Sequence, residues 1–234
     1  LFRSWISLGG IFSFQPGELA KISLAIFFAG YLVRTRESLT SVGTVFLGIT
    51  WPRMRELGPV LVVWLLSLGI IVTQRDLGTG VLIFGMFIAM LYVATGKTSW
   101  VLIGLGLVAA GAFAAMQILS YVRGRFTNWL DAFNPEVIDA NGGSFQLVQG
   151  IFGLAHGGLL GTGLGQGRPE VTPLAHSDYI IPSLGEELGL VGLFAILCLY
   201  MVFASRGVRI GLAGQDDFGK LLATGLSFTI VLQV

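Results

Sequence analysis

Charge is what this sequence has least of. Only 12% of its 234 residues are Asp, Glu, Lys or Arg, about half the share an ordinary soluble domain carries. A surface so poor in charge cannot be kept in water, which excludes a soluble globular protein and makes lipid the solvent for most of the chain. Net charge is +1, and there is neither a basic run nor an aromatic platform, so a nucleic-acid partner is excluded as well. The single cysteine, Cys198, has no second thiol to pair with and sits in an apolar run as a packed side chain. The two histidines, His156 and His176, stand twenty residues apart without cysteine partners, which is the wrong composition for a zinc site.

What is present is apolar. Hydrophobic residues make up 54% of the chain and mean hydropathy is +0.81. Charge-free stretches locate the helices, each near the ~20 residues that cross a bilayer. The reading is all-α: a polytopic bundle of about six transmembrane helices over about 17–34, 57–73, 77–95, 99–121, 181–205 and 218–234, in one integral-membrane domain over 1–234. Leu1 opens mid-pattern without an initiator Met and the chain stops inside an apolar run, so a fragment cut at both ends is expected. Gly is abundant, with 34 residues, and small residues let helices in lipid approach closely.

Lys and Arg in the short loops set the orientation. Arg34, Arg36, Arg53 and Arg55 flank the loop 35–56, and Lys97, Arg206, Arg209 and Lys220 lie on the same side, against Arg75 alone opposite. Loop 35–56 is then cytoplasmic, and the long segment of about 122–180 faces outward from a bacterial cell membrane. Loops of that length are uncommon and usually functional. This one keeps apolar periodicity, and Gly153, Gly157, Gly161 and Gly165 recur every fourth residue, which predicts a closely packed helix face in an interfacial or re-entrant segment.

Several polar residues could carry chemistry. Glu18 and Lys21 share one face of the first helix; ionisable groups there mark either a cavity or an interfacial pair with Lys21 snorkelling outward. Asp76 is placed to cap the helix that begins at Leu77. The outward loop holds Arg125, Asp131, Asp139, Gln146, Arg168, His176 and Asp178. Carboxylates beside arginines suit an anionic substrate handled by general-base chemistry, and for any one of them the plain alternative is a solvated charge. Glu186 and Glu187 open a helix about 100° apart, so at least one faces protein interior in a hydrogen-bonding role. The run Gly161-Thr-Gly-Leu-Gly-Gln-Gly167 lacks both the spacing and the preceding strand of a dinucleotide fingerprint.

These motifs in their order resemble a known family. Trp5-Ile-Ser-Leu-Gly-Gly followed by Phe14-Gln-Pro-Gly-Glu-Leu-Ala-Lys21, then Gln74-Arg-Asp-Leu-Gly-Thr79, Phe145-Gln-Leu-Val-Gln149, Gly161-Thr-Gly-Leu-Gly165, and Ala175-His-Ser-Asp-Tyr179 with Gly185-Glu-Glu-Leu-Gly189 look like successive blocks of the SEDS family (FtsW, RodA, SpoVE). Arg75 stands where the family has Pro. The resemblance implies part of a ten-helix fold, and a peptidoglycan glycosyltransferase that polymerises lipid II beside a class B penicillin-binding protein, in elongation or division.

By the same resemblance, the family's essential Asp falls on Asp139, with Asp131 as the rival register. Asp139 would be the general base of an inverting displacement. Glu18, Lys21, Arg125, Gln146, Arg168 and Asp178 would bind substrate, and Asp76, His176, Glu186 and Glu187 would support the site. The leaving pyrophosphate needs positive charge, from these cations or from a divalent metal such as Mg or Mn; no residues are assigned to a metal. Two other functions fit the same composition: a flippase for lipid-linked precursor, which needs no base, and a scaffold for cell division, which needs no polar cavity.

Overall fold

A computed structural model describes residues 6–8, 12–14, 16–40, 45–46, 49–52, 56–74 and 76–233. Trp5, Arg53, Arg55 and Arg75 lie outside the described residues, as do the side chains of Glu18 and Gln74. In chain order the elements are β1 (Ile6–Leu8), β2 (Phe12–Phe14), α1 (Pro16–Leu39), β3 (Val45–Phe46), β4 (Ile49–Thr50), α2 (Leu57–Gln74), α3 (Leu77–Thr95), α4 (Thr98–Ile118), α5 (Ser120–Leu130), α6 (Pro135–Ile138), α7 (Phe145–Gly157), α8 (Ile180–Ala213) and α9 (Asp217–Gln233). The all-α class holds. β1 pairs antiparallel with β2, and β3 with β4, but ribbons of two and three residues build no layer. Three described helices are long and apolar enough to cross a membrane, Leu77–Thr95, Thr98–Ile118 and Ile180–Ala213, with Leu57–Thr73 a shorter apolar helix. The chain is a membrane protein.

Two compact units divide the chain: residues 1–111 with 200–234, and residues 112–199. The first is a helix bundle around α3, which packs on α1, α2 and α9. α3 is buried on several faces, through Ile83, Phe84, Met86, Phe87, Met90 and Leu91, because apolar residues run round it without a polar stripe. α1 turns inward the stripe Lys21, Ala25, Phe28 and Leu32, spaced three and four apart as one helix face requires. The Phe28 and Phe87 rings meet 4.9 Å apart, tilted by 59°. Small residues permit the tightest crossings: a Cβ on Gly80 would enter the Ile71 side chain, and one on Gly207 would strike Ser227.

Polar groups cap and cross-link these helices. Asp76 caps α3, accepting the Thr79 N–H at 3.1 Å and the Thr79 hydroxyl at 2.6 Å, a motif that stabilises a helix by about 1 kcal/mol. Trp64 Nε1 donates to the Leu107 carbonyl at 2.9 Å, joining α2 to α4. Arg36 reaches Asp217 at 3.0 Å, exposed and worth no more than about 1 kcal/mol.

The second unit carries the long segment of about 122–180, and it is more ordered than a loop. The helix expected to run on to 121 stops at Ile118; Leu119 is extended (φ −109°, ψ 107°) and α5 starts after it. Arg123 then turns back, its Nε donating to the Met116 carbonyl at 3.2 Å and its Nη2 to Gln117 at 3.5 Å, which occupies carbonyls orphaned at the end of α4. The glycine periodicity holds a helix only as far as Gly157. Gly153 and Gly157 pack α7 against residues 182–186, whereas Gly161 and Gly165 have φ of +80° and +71° and lie in a loop. A helix cannot continue through left-handed backbone, so the expectation of one small-residue face through Gly165 is corrected there. α8 contains a break of its own, at Gly189.

Candidate active site

Within the second unit, Asp139 sits on a turn held from two sides. Pro135 starts the short helix α6, and Asn134 caps it by accepting the Glu136 N–H at 3.1 Å. Asp139 ends that helix, its N–H donating to the Pro135 carbonyl at 3.1 Å. The chain then reverses through Gly142 (φ +76°). Asn128 Nδ2, on α5, donates to the Gly142 carbonyl at 2.8 Å, and the Ser144 hydroxyl donates to Ala132 at 2.6 Å. The turn is therefore braced while the Asp139 carboxylate is exposed. Asp131 differs: its Oδ2 accepts the Asn134 amide at 2.9 Å, so the rival carboxylate is already engaged. A groove of about 670 Å³ runs along the turn, lined by Arg123, Thr127, Asn128, Glu136, Ala140 and Asn141.

The other residues singled out in the sequence are spread over this unit. Arg125 of α5 lies close enough to Tyr179 for its charge to act on the phenol, as does Asp178. Burial first, and the Asp178 carboxylate second, raise the Tyr179 pKa, against an opposing pull from Arg125. Gln146 Nε2 donates to the Pro173 carbonyl, which fixes the loop after the 3-10 turn Pro169–Val171 and leaves that amide nitrogen committed to backbone. His176 lines a separate concavity of about 520 Å³ with Glu170, Ser183 and Glu187. Glu186 points inward, 7% exposed, and its Oε1 accepts the Arg168 N–H at 3.1 Å. The Arg168 side chain is exposed.

In the first unit Lys21 is 6% exposed on the core-facing stripe of α1, so it does not snorkel outward. It borders a largely apolar cavity of about 490 Å³ with Phe203, Ser227, Thr229 and Gln233. Among the described residues no three His, Cys, Asp or Glu side chains converge as metal ligands.

Residues 2–234 match the family model described as "Cell cycle protein", that of FtsW, RodA and SpoVE. The chain belongs to the FtsW/RodA/SpoVE family. It is 49% identical over 232 residues to the peptidoglycan glycosyltransferase RodA of Mycobacterium tuberculosis (strain H37Rv), covering 99% of this chain and 48% of that one. With the stage V sporulation protein E of Bacillus subtilis it shares 34% over 235 residues, covering 99% and 60%. A solved structure described as a peptidoglycan synthase complex that coordinates polymerization and crosslinking superposes with a TM-score of 0.70 at 23% identity, over 99% of this chain and 60% of that one; the likeness shows a shared fold. The chain thus spans about half the length of the mycobacterial relatives it matches.

Against the FtsW/RodA/SpoVE motifs, the structure adds two residues that the sequence reading passed over. Asn128 braces the turn that bears Asp139, and Tyr179 stands between Asp178 and Arg125 in charge. Tyr179 closes a motif block and was open to notice from its polar hydroxyl beside an acid. Asn128 had no local signal, because its partner lies fourteen residues away.

Proposed function

We propose that the protein is a peptidoglycan glycosyltransferase that polymerises lipid II into glycan strands, working in the bacterial cell membrane beside a class B penicillin-binding protein. The observation that carries this reading is 49% identity to a peptidoglycan glycosyltransferase RodA across 99% of the chain. Loop 35–56 faces the cytoplasm and the segment of about 122–180 faces outward, where the lipid-linked sugar is joined.

Asp139 is the general base. Its exposed carboxylate takes the proton from the attacking sugar hydroxyl; that oxygen forms the new bond to the anomeric carbon as the bond from that carbon to pyrophosphate breaks. The α-linked donor becomes a β-linked polymer, and the electron pair leaves with the lipid pyrophosphate. An unengaged carboxylate on a braced turn supports Asp139 over Asp131, whose oxygen is tied to Asn134. Arg125 and Arg168 hold the pyrophosphate of the substrate in the ground state and the transition state alike, Asp178 binds substrate, and Gln146 holds the adjoining loop. In the first unit Glu18 and Lys21 bind substrate.

The test is polymerisation of purified lipid II by the full-length protein with its penicillin-binding partner present and transpeptidation blocked. Asp139→Asn is expected to lower the rate by about 10²–10⁴-fold, the usual worth of a general base, with the melting temperature unchanged. Equal activity moves the base to Asp131. No polymer from a folded wild-type preparation favours the flippase over the polymerase.

A further inference from the structure

The proposed chemistry has no use for Glu186, yet this buried carboxylate stands beside a break in the backbone of α8. Three residues on, Gly189 adopts φ 69° and ψ −177° inside an apolar helix, a region open essentially to glycine alone. Such a break frees carbonyls before it and N–H groups after it, and a membrane protein cannot leave them unpaired. Residues 158–163 supply partners on both sides. The Thr162 and Gly163 N–H groups donate to the Glu186 and Glu187 carbonyls at 2.9 and 3.0 Å, and the Leu190 and Val191 N–H groups donate to Gly158 and Leu159 at 2.9 and 3.1 Å. The Thr162 hydroxyl adds a bond to the Glu186 carbonyl at 3.1 Å. The two strands of chain lie so close that a Cβ on Gly157, Gly161 or Gly189 would fall on the opposing backbone.

The Glu186 side chain extends this stitch to the far end of the loop. Its Oε1 accepts the Arg168 N–H at 3.1 Å, and Gly167 passes so near that a Cβ there would lie 3.3 Å from the Glu186 carboxyl carbon. Backbone bonds thus hold residues 162 and 163, while the carboxylate holds residue 168, with the glycine-rich stretch between them. Glycine confers no stiffness on that stretch, so the charge-assisted bond is the tether at its end.

We propose that Glu186 is a positioning residue: anchored in the broken helix, it fixes the 162–168 loop so that the Arg168 guanidinium is presented to the phosphates of the substrate. This rests on the glycosyltransferase reading for the role of Arg168. The tether itself depends only on geometry.

The test uses the full-length protein in bilayer nanodiscs, with lipid II as substrate. Glu186→Ala is expected to raise the KM for lipid II about tenfold with kcat within about twofold, the worth of one hydrogen bond to a charged group. Glu186→Gln keeps a carbonyl acceptor and is expected to restore most of the lost affinity. Amide hydrogen exchange in residues 162–168 should speed up in the Ala variant and not in the Gln variant. Arg168→Ala should raise KM similarly, and the double variant should be no worse than Arg168→Ala alone. Should Glu186→Ala fail to fold, Glu186→Asp, which retracts the carboxylate, takes its place. Unchanged exchange in the Ala or Asp variant overturns the tether, and faster exchange with unchanged KM overturns the positioning of Arg168. An inactive wild type that still shows the exchange difference overturns the glycosyltransferase reading and leaves the tether standing.

Discussion

In the first unit Phe28 and Phe87 meet at 4.9 Å among a continuous buried set from α1, α2, α3 and α9. The second unit has far fewer buried apolar side chains: Ala115, Val122, Ala132 and Val148 are buried, while Trp129, Leu130, Phe133 and Phe152 are exposed, Trp129 by 69%. Its order comes instead from side chains bonded to backbone, such as Asn128 on Gly142, Ser144 on Ala132, Gln146 on Pro173 and Glu186 on Arg168. The contrast is between a unit built by close packing and one built by directional bonds. Packing tolerates small errors in every contact, whereas a hydrogen bond fixes one atom against another. Groups that must meet a reacting centre within a fraction of an ångström are better held the second way. The proposed base lies in the hydrogen-bonded unit.

Breaking a packed contact should cost the most stability. Phe87→Ala in the first unit is expected to destabilise by about 3 kcal/mol, the lower end for such truncations, because lipid is already as apolar as the lost ring and only the packing is forfeited. Thermal unfolding in detergent measures it, and the KM for lipid II should stay within about twofold in the folded fraction. A rise in KM matching the loss of stability would break the contrast between the packed unit and the hydrogen-bonded one. Asp76→Ala should cost about 1 kcal/mol, through the lost cap on α3, again with no change in KM.

The smallest effect sharpens the comparison from the other side. The Tyr179 phenol is raised above its ordinary 10.0, first by burial and then by Asp178. In the unfolded chain the phenol ionises at its ordinary value, so the stability contributed by the neutral group is complete below about pH 10 and is lost as pH climbs through the folded value. Tyr179→Phe cannot ionise, and should therefore lose less stability than the wild type between pH 9 and pH values above 10. Denaturant melts across that range read the difference, and parallel curves would show that Tyr179 is not shielded.

The two units were unequally legible in advance. Charge-free stretches of near-bilayer length exposed the long helices because a charge in lipid is costly wherever it falls, so the position of each long helix, though not its ends, is written locally. The break at Gly189 was invisible for the same reason: Gly185-Glu-Glu-Leu-Gly189 reads as a helix start, and only the approach of residues 158–163 supplies the bonds that make a break tolerable. Likewise the resemblance set Asp139 ahead of Asp131 by register alone, and nothing in the letters announced that Asn134 bonds Asp131 or that Asn128 braces the turn after Asp139.

Solvent, fold class and family are properties of composition and of motif order, and the sequence by itself determined them. Which face of α1 carries Lys21 inward, where α4 stops and α8 breaks, and which of Glu186 and Glu187 is buried were decided by tertiary structure alone. Each depends on a partner far along the chain, and a partner that arrives only through folding leaves no mark in the residues beside it.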